Sequence, residues 1–190
     1  VCVLAFAALY LAAVGLRRFW RDDARGGGKA AAALAIALLV LLPFGISAFG
    51  ALVLPPLSDI ATDPSDPPVF SAVLGMRPQS ANPLGSLSET EVSLQRQAYP
   101  GVTGRRYDAA PDRVLQAVGE IMTASDWQVL TELDAQQEGT EINLEATATS
   151  FVFKFPTDVA LRITDEGETT YVDMRAASRF GKHDLGNNAR

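Results

Sequence analysis

Hydrophobic and polar positions divide this chain into an apolar opening and a patterned, more polar remainder. From Ala30 to Leu54 the sequence AAAALAIALLVLLPFGISAFGALVL contains no charge. About 20 apolar residues in a helix cross a ~30 Å hydrocarbon core, so this run predicts a transmembrane helix over 30–54. A shorter apolar run, Val1–Leu16, precedes it. Its length also suits a signal-peptide core, but it has no basic leader and runs into RRFWRDD instead of a small-residue cleavage site. The favoured reading is the end of a transmembrane helix over 1–16, in a fragment cut at its N-terminus and open at its C-terminus. Pro43 and Gly45 lie inside the second span, where a kink is tolerated.

The connection over 17–29 carries Arg17, Arg18, Arg21, Arg25 and Lys29, with Phe19 and Trp20 as interfacial aromatics and Gly26-Gly27-Gly28 as a helix break. Short basic loops stay cytoplasmic, so this loop is expected inside and everything after Leu54 outside. In a bacterium that means a multi-pass inner-membrane protein with its C-terminal part in the periplasm.

Residues 55–87 read as a Pro-rich linker, which Leu54 opens as LPPLSDIATDPSDPP. Asp59, Asp63 and Asp66 would share a helical face, but Pro64, Pro67 and Pro68 forbid that helix. The calcium-loop pattern is also missing, so turn and cap roles are expected for these aspartates. Ser88-Glu89-Thr90-Glu91 then forms a capping box with Leu87 and Val92 at the staple positions, predicting a short helix that Pro100-Gly101 ends.

The periodic part follows. Gly104–Tyr107 predicts a strand, and Pro111 and Asp112 open a helix whose buried stripe is Val114, Leu115, Val118, Ile121 and Met122. Trp127–Leu133 predicts another strand. Ile142, Leu144, Ala146 and Ala148 alternate with polar residues, the mark of a strand with one face buried. Phe151, Phe153 and Phe155 alternate out of phase, with Pro156 ending the run and a bulge or turn near Ser150 absorbing the shift. Val159, Leu161 and Ile163, then Val172, Met174 and Ala176, form two more inward sets joined by a turn at Asp165–Glu168. Their register pairs either Asp158 with Arg175 or Arg162 with Asp173, on a face expected to be wet. The prediction is an α+β domain over 88–190, a two-layer antiparallel sheet with helix packed on one face.

Charge refines the picture. The net charge is −6, and the first 54 residues hold five positives against Asp22 and Asp23, so the remainder is strongly acidic. An acidic domain repels phosphate backbones, which excludes nucleic acid as an expected partner. The single cysteine, Cys2, supports no disulfide framework.

LPPLSDIATDPSDPP after a membrane span, QRQAYPG, EINLEATATSFVFKFPTDVALRIT and YVDMRAASRFGKHDLGNNAR together resemble one bacterial family, domain of unknown function 1499, in its membrane-anchored form. The resemblance runs from about Leu54 to Arg190 and is most specific in the closing motif, Arg175 to Arg190. It implies a domain boundary and topology, with a final helix after the motif in the family, and no known activity.

That closing motif gathers Ser178, Arg179, Lys182, His183, Asp184, Asn187, Asn188 and Arg190 at a strand end. A Ser-His-Asp triad is the sharpest enzymatic reading, as an envelope hydrolase over Ser178–Asp184. Adjacent His183 and Asp184 and the missing G-x-S-x-G elbow oppose it. With one His, no metal or cofactor is expected. Two expectations remain: Asp184 or Asn187 caps a following helix and Arg179 pairs with a carboxylate, or Arg175, Arg179 and Lys182 form a positive spot. That spot, with Ser178, Asp184 and Asn187, would take an anionic lipid, an anionic ligand or an envelope protein partner.

Overall fold

The computed structural model describes residues 2–22, 25–131, 140–150 and 154–189. It divides into two compact units, Val1–Val53 and Leu54–Arg190.

In the first unit α1 (Cys2–Asp22) packs against α2 (Gly27–Val53). Both are long and apolar enough to cross a membrane. Their mutual contact uses small residues: Ala5 and Ala12 of α1 and Ala37 of α2 are buried, and a Cβ on Gly15 would lie 3.3 Å from that of Ala30. Small side chains at helical spacing let backbones approach closely, the usual solution where lipid removes the hydrophobic driving force. Leu4, Leu11, Leu39, Phe49 and Leu52 stay exposed on the outer faces, an arrangement suited to hydrocarbon and costly in water. The α1 helix runs on through Arg17–Asp22, beyond the expected end of the span, and the break comes at Gly26, with φ at 113°. At Gly27 a Cβ would stand 2.7 Å from the Phe19 ring, so only glycine lets the aromatic fold over the helix start. Across Pro43 the helix is continuous, and the Ser47 hydroxyl donates to the Pro43 carbonyl at 2.8 Å.

The second unit holds β1 (Asp59–Ala61), a 3₁₀ turn (Ala72–Met76), α3 (Glu89–Ala98), β2 (Arg105–Tyr107), α4 (Pro111–Ala124), β3 (Gln128–Val129), β4 (Glu141–Thr149), β5 (Pro156–Asp165) and β6 (Thr170–Ser178). The sheet is antiparallel in the order β1-β6-β5-β4-β3, with β2 also on β6. It is an α+β fold in which the apolar alternation decides the register. Ile142, Leu144, Ala146, Val159, Leu161, Ile163 and Ala176 meet Val114, Leu115 and Met122 of α4 in one core. Ile121 is the exception to the expected stripe. It sits 62% exposed, because burial centres on Leu115 and Met122 and each helical step turns the side chain by about 100°.

Of the two registers the structure takes Arg162 opposite Asp173, with Asp158 opposite Ala177. Pro156 opens β5 instead of ending a strand, and just before it Ser150 N–H donates to Phe155 O at 2.9 Å and Lys154 N–H to Ser150 O at 3.0 Å. Phe151 and Phe153 lie outside the described residues, as does Leu133. The strand expected over Trp127–Leu133 is shorter, and Leu130 leaves the α4 side to pack on the opposite face.

That opposite face is not wet. Residues expected as a free linker lie across it as a strap: Leu57, Phe70 and Val73 are buried, and Phe70 and Val73 pack on Ala160 and Ala177. The sheet therefore carries α4 on one side and chain 62–87 on the other. The linker also supplies β1, whose outer edge is closed by α3. The capping box of Ser88 and Glu91 starts α3 as expected. It then presents Gln95, 2% exposed, whose amide donates to Ala61 O at 2.6 Å and accepts from Ala61 N–H at 3.2 Å. One side-chain amide thus replaces a neighbouring strand and blunts an edge that could otherwise pair with another chain. Gln95→Ala should leave both backbone groups of Ala61 unsatisfied and lower stability by about 1–3 kcal/mol in urea titrations.

Candidate functional site

Period-two alternation sends Glu145, Thr147, Asp158, Arg162, Asp173 and Arg175 to the strap side of the sheet, where Glu145, Asp158, Arg162 and Arg175 each hold a different part of the covering chain. Asp158 is fully buried. Its carboxylate accepts from Arg77, from Arg179 Nε at 3.0 Å and Nη2 at 2.7 Å, and from the Thr147 hydroxyl at 3.1 Å. Arg77 also donates to Asn82 O at 2.6 Å. One buried carboxylate therefore stands between two guanidiniums, one from the strap and one from the end of β6.

Arg175 forms a fork with Asp59 at 3.0 and 2.7 Å, donates to Gly85 O at 2.6 Å, and lies 5.2 Å from the Phe70 ring centroid. Arg162 forks Asp173 at 3.1 and 2.8 Å and reaches Asp66 at 2.9 Å. Glu145, 3% exposed, accepts the N–H groups of Ser71, Ala72 and Val73 at 2.7, 2.8 and 2.9 Å and the Ser71 hydroxyl at 2.5 Å. It thereby satisfies amides at the start of the 3₁₀ turn that the turn itself leaves open.

Burial pushes the Glu145 carboxyl upward, but the Ser71 hydroxyl and the three N–H groups outweigh it and hold the group below its ordinary value. For Asp173 the balance is reversed: burial raises it and the Arg162 fork offsets only part. The hydrogen bond from Arg162 to Asp173 holds the guanidinium above its ordinary value. These two shifts differ in what they say of the pair. The carboxylate is fully buried while the arginine keeps a hydrated side toward Asp66, so the desolvation cost falls on Asp173.

At the end of β6 the closing motif turns back over the start of the unit. His183 Nε2 lies 3.1 Å from Leu54 O, and Leu185 N–H donates to His183 Nδ1 at 3.0 Å, which assigns the ring proton to Nε2. Asp184 accepts from Gly186 N–H at 3.0 Å and Asn188 N–H at 2.7 Å. Asn188 donates to Ser58 O at 2.9 Å and to the Ser178 hydroxyl at 3.1 Å. Asn187 is exposed and its amide returns to Asp184 O at 2.6 Å. Lys182 is exposed on the surface.

The sequence model of a family described as protein of unknown function (DUF1499) matches residues 59–190. The chain belongs to the DUF1499 family. The match starts at Asp59, the first residue of β1, and takes in the strap, the sheet and the closing motif. No curated protein and no solved structure matches the chain.

Within this DUF1499 domain the six candidate residues do not converge on one cleft. Arg175 and Arg179 face buried carboxylates on the strap side. Ser178 and Asp184 are buried in the loop that ties β6 to Ser58 and Leu57, and only Asn187 and Lys182 reach solvent. Arg179 does pair with a carboxylate, Asp158, as the architectural reading expects. Asp184 caps a turn instead of a helix, because its acceptors are used by amides two and four residues on. Ser178, His183 and Asp184 make no hydrogen bond to one another among the described residues, each being bonded elsewhere. Sequence reasoning did not single out Arg77, Glu145 or Gln95, and took Asp158 only as a charge on a wet face. Nothing local marks them, since a polar position on an alternating strand looks the same whether water or a distant strap faces it.

Proposed function

We propose that this DUF1499 protein is a multi-pass inner-membrane protein of bacteria that holds its C-terminal domain in the periplasm as a binding or assembly module. The observation that carries the reading is the cluster Arg17, Arg18, Arg21, Arg25 and Lys29 at the joined ends of two helices apolar enough to span a bilayer, three in the last turns of α1, one between the helices and one at the start of α2. Cationic residues in short loops resist translocation, so the connection stays inside and Leu54 emerges outside. A module that binds instead of reacting fits a domain whose polar residues are consumed in holding its own strap. The hydrolase alternative has less support, since its three candidate side chains bond away from one another.

Orientation is testable with single cysteines in a Cys2→Ser background. Glu168→Cys, on an exposed turn of the second unit, should react with a membrane-impermeant maleimide in intact spheroplasts. Arg21→Cys should react only after lysis. The opposite pattern would overturn the proposed topology.

A further inference from the structure

The register fixes at which end of the sheet the chain enters the domain. β1 runs antiparallel to β6, so the chain entering from Leu54 arrives at the end where β6 stops and β5 starts. His183 and Asp184 bind Leu54 O and Leu57 O at this end. Ser58 O accepts from Ser178 N–H at 2.8 Å, and Arg179 N–H donates to Pro156 O at 3.0 Å. Phe155 immediately precedes Pro156 and Phe180 immediately follows Arg179, so the two flank this bonded pair along the chain.

Both phenylalanines are outward: Phe155 is 53% and Phe180 44% exposed. Lys154, exposed, precedes the first, and Lys182, exposed, follows the second by two residues. Of the carboxylates near this end, Asp158 and Asp184 are buried and already bonded, and Asp126, ahead of β3, is exposed. At the opposite end of the strands the exposed turn carries Asp165, Glu166 and Glu168, with Arg106 forking Glu166. Exposed aromatic and cationic groups thus gather at the end where the chain enters the domain.

We infer that Phe155, Phe180, Lys154 and Lys182 form a lipid-contact surface that seats the domain on the headgroup layer of a bilayer containing anionic lipid. This rests on the membrane placement proposed above and adds the surface and its ligand class. Three arguments select lipid as the occupant. Chain continuity places Leu54 directly after the apolar α2, so the loop bonded to Leu54 lies within reach of headgroups. Aromatic rings prefer the interfacial zone, where an apolar ring meets polar headgroups. Lysines beside them complement anionic headgroups, each adding about a fivefold preference for an anionic surface.

The test uses the full chain in proteoliposomes of phosphatidylcholine with about one quarter phosphatidylglycerol, a composition anionic enough for the lysine preference to register. Phe180 is replaced by the photoreactive p-benzoylphenylalanine, and in a parallel sample Glu168 is replaced instead. Irradiation should give lipid adducts at 180 and only background at 168. Lys154→Gln with Lys182→Gln should cut the 180 adduct more than tenfold, as should liposomes of phosphatidylcholine alone. Adducts at 180 equal to those at 168, or adducts to a second copy of the chain, would overturn the lipid surface. A chain that stays in the sedimented membranes without adducts at 180 fails this inference alone. A chain that leaves the membranes fails the reading beneath it.

Discussion

Asp158→Ala should unfold the C-terminal unit or leave it barely stable, with an expected loss of about 3–5 kcal/mol. Among the described residues the carboxylate is the ion-pair partner of both Arg77 and Arg179. Deleting it would strand two guanidiniums, 7% and 16% exposed, against a sheet face on which the carboxylates of Glu145 and Asp173 are bonded to the Ser71–Val73 amides and to Arg162. Removing one arginine is milder, because Arg179→Ala leaves Asp158 with Arg77 and Thr147 and should cost about 1–3 kcal/mol. Urea unfolding of the full chain in detergent, followed by Trp127 fluorescence in a Trp20→Phe background, measures both. The double mutant should be less unstable than the sum of the singles, since the two residues share one network. Additive losses would mean that the Asp158–Arg179 contact carries no energy.

Glu145→Ala should free the strap instead of the sheet. Three N–H groups and the Ser71 hydroxyl lose their acceptor together, at about 1–3 kcal/mol for each group left buried and unpaired. Partial opening to water limits the loss, so the expected signature is local: faster thermolysin cleavage within Ser71–Met76 while β4 to β6 stay protected from hydrogen exchange. The pH dependence has a definite sign. A carboxyl held below its ordinary value contributes stability that is complete above the ordinary carboxylate range and fades as pH falls through the lowered value. The stability gap between wild type and Glu145→Gln should therefore be widest near neutrality and close below about pH 4. Asp173 works in the opposite direction, because its raised value makes ionisation at neutral pH a cost that acid relieves. A gap that widened in acid would contradict the role given to Glu145.

What the residues announce by themselves is whatever repeats over several turns or pleats. The helix from Pro111, the strands carrying Leu144, Leu161 and Met174, the turn at Asp165–Glu168 and the capping box at Ser88 are all legible in this way. β1 is not, because Asp-Ile-Ala is too short to show a period and sits among prolines that suggest an unstructured tether. The face expected to be wet was misjudged for a related reason. Asp158, Arg162, Asp173 and Arg175 alternate with apolar residues just as a wet face would, and only the fold reveals that residues far upstream cover them. Arg162 opposite Asp173 could be narrowed to one of two registers, whereas the partners of Asp158 and Arg175 come from Arg77 and Asp59, at separations no periodicity can report. In the closing motif the polar residues gather without a packing reason visible in the sequence, and in the structure they fasten the end of β6 to Leu54–Ser58.

The way β6 is flanked also sets an order of events for a chain made from its N-terminus. The β4–β5 and β5–β6 pairs are hairpins that close locally, but β1 meets β6 through partners such as Asp59 and Arg175, 116 residues apart. Such long-range closure is slow, because the entropy of bringing distant segments together comes before any contact rewards it. The strap leaves the ribosome early and must wait for nearly the whole domain before its seat exists. In that interval Phe70 and Val73 are uncovered. The end of the domain at which the chain enters is thus also the end that closes last.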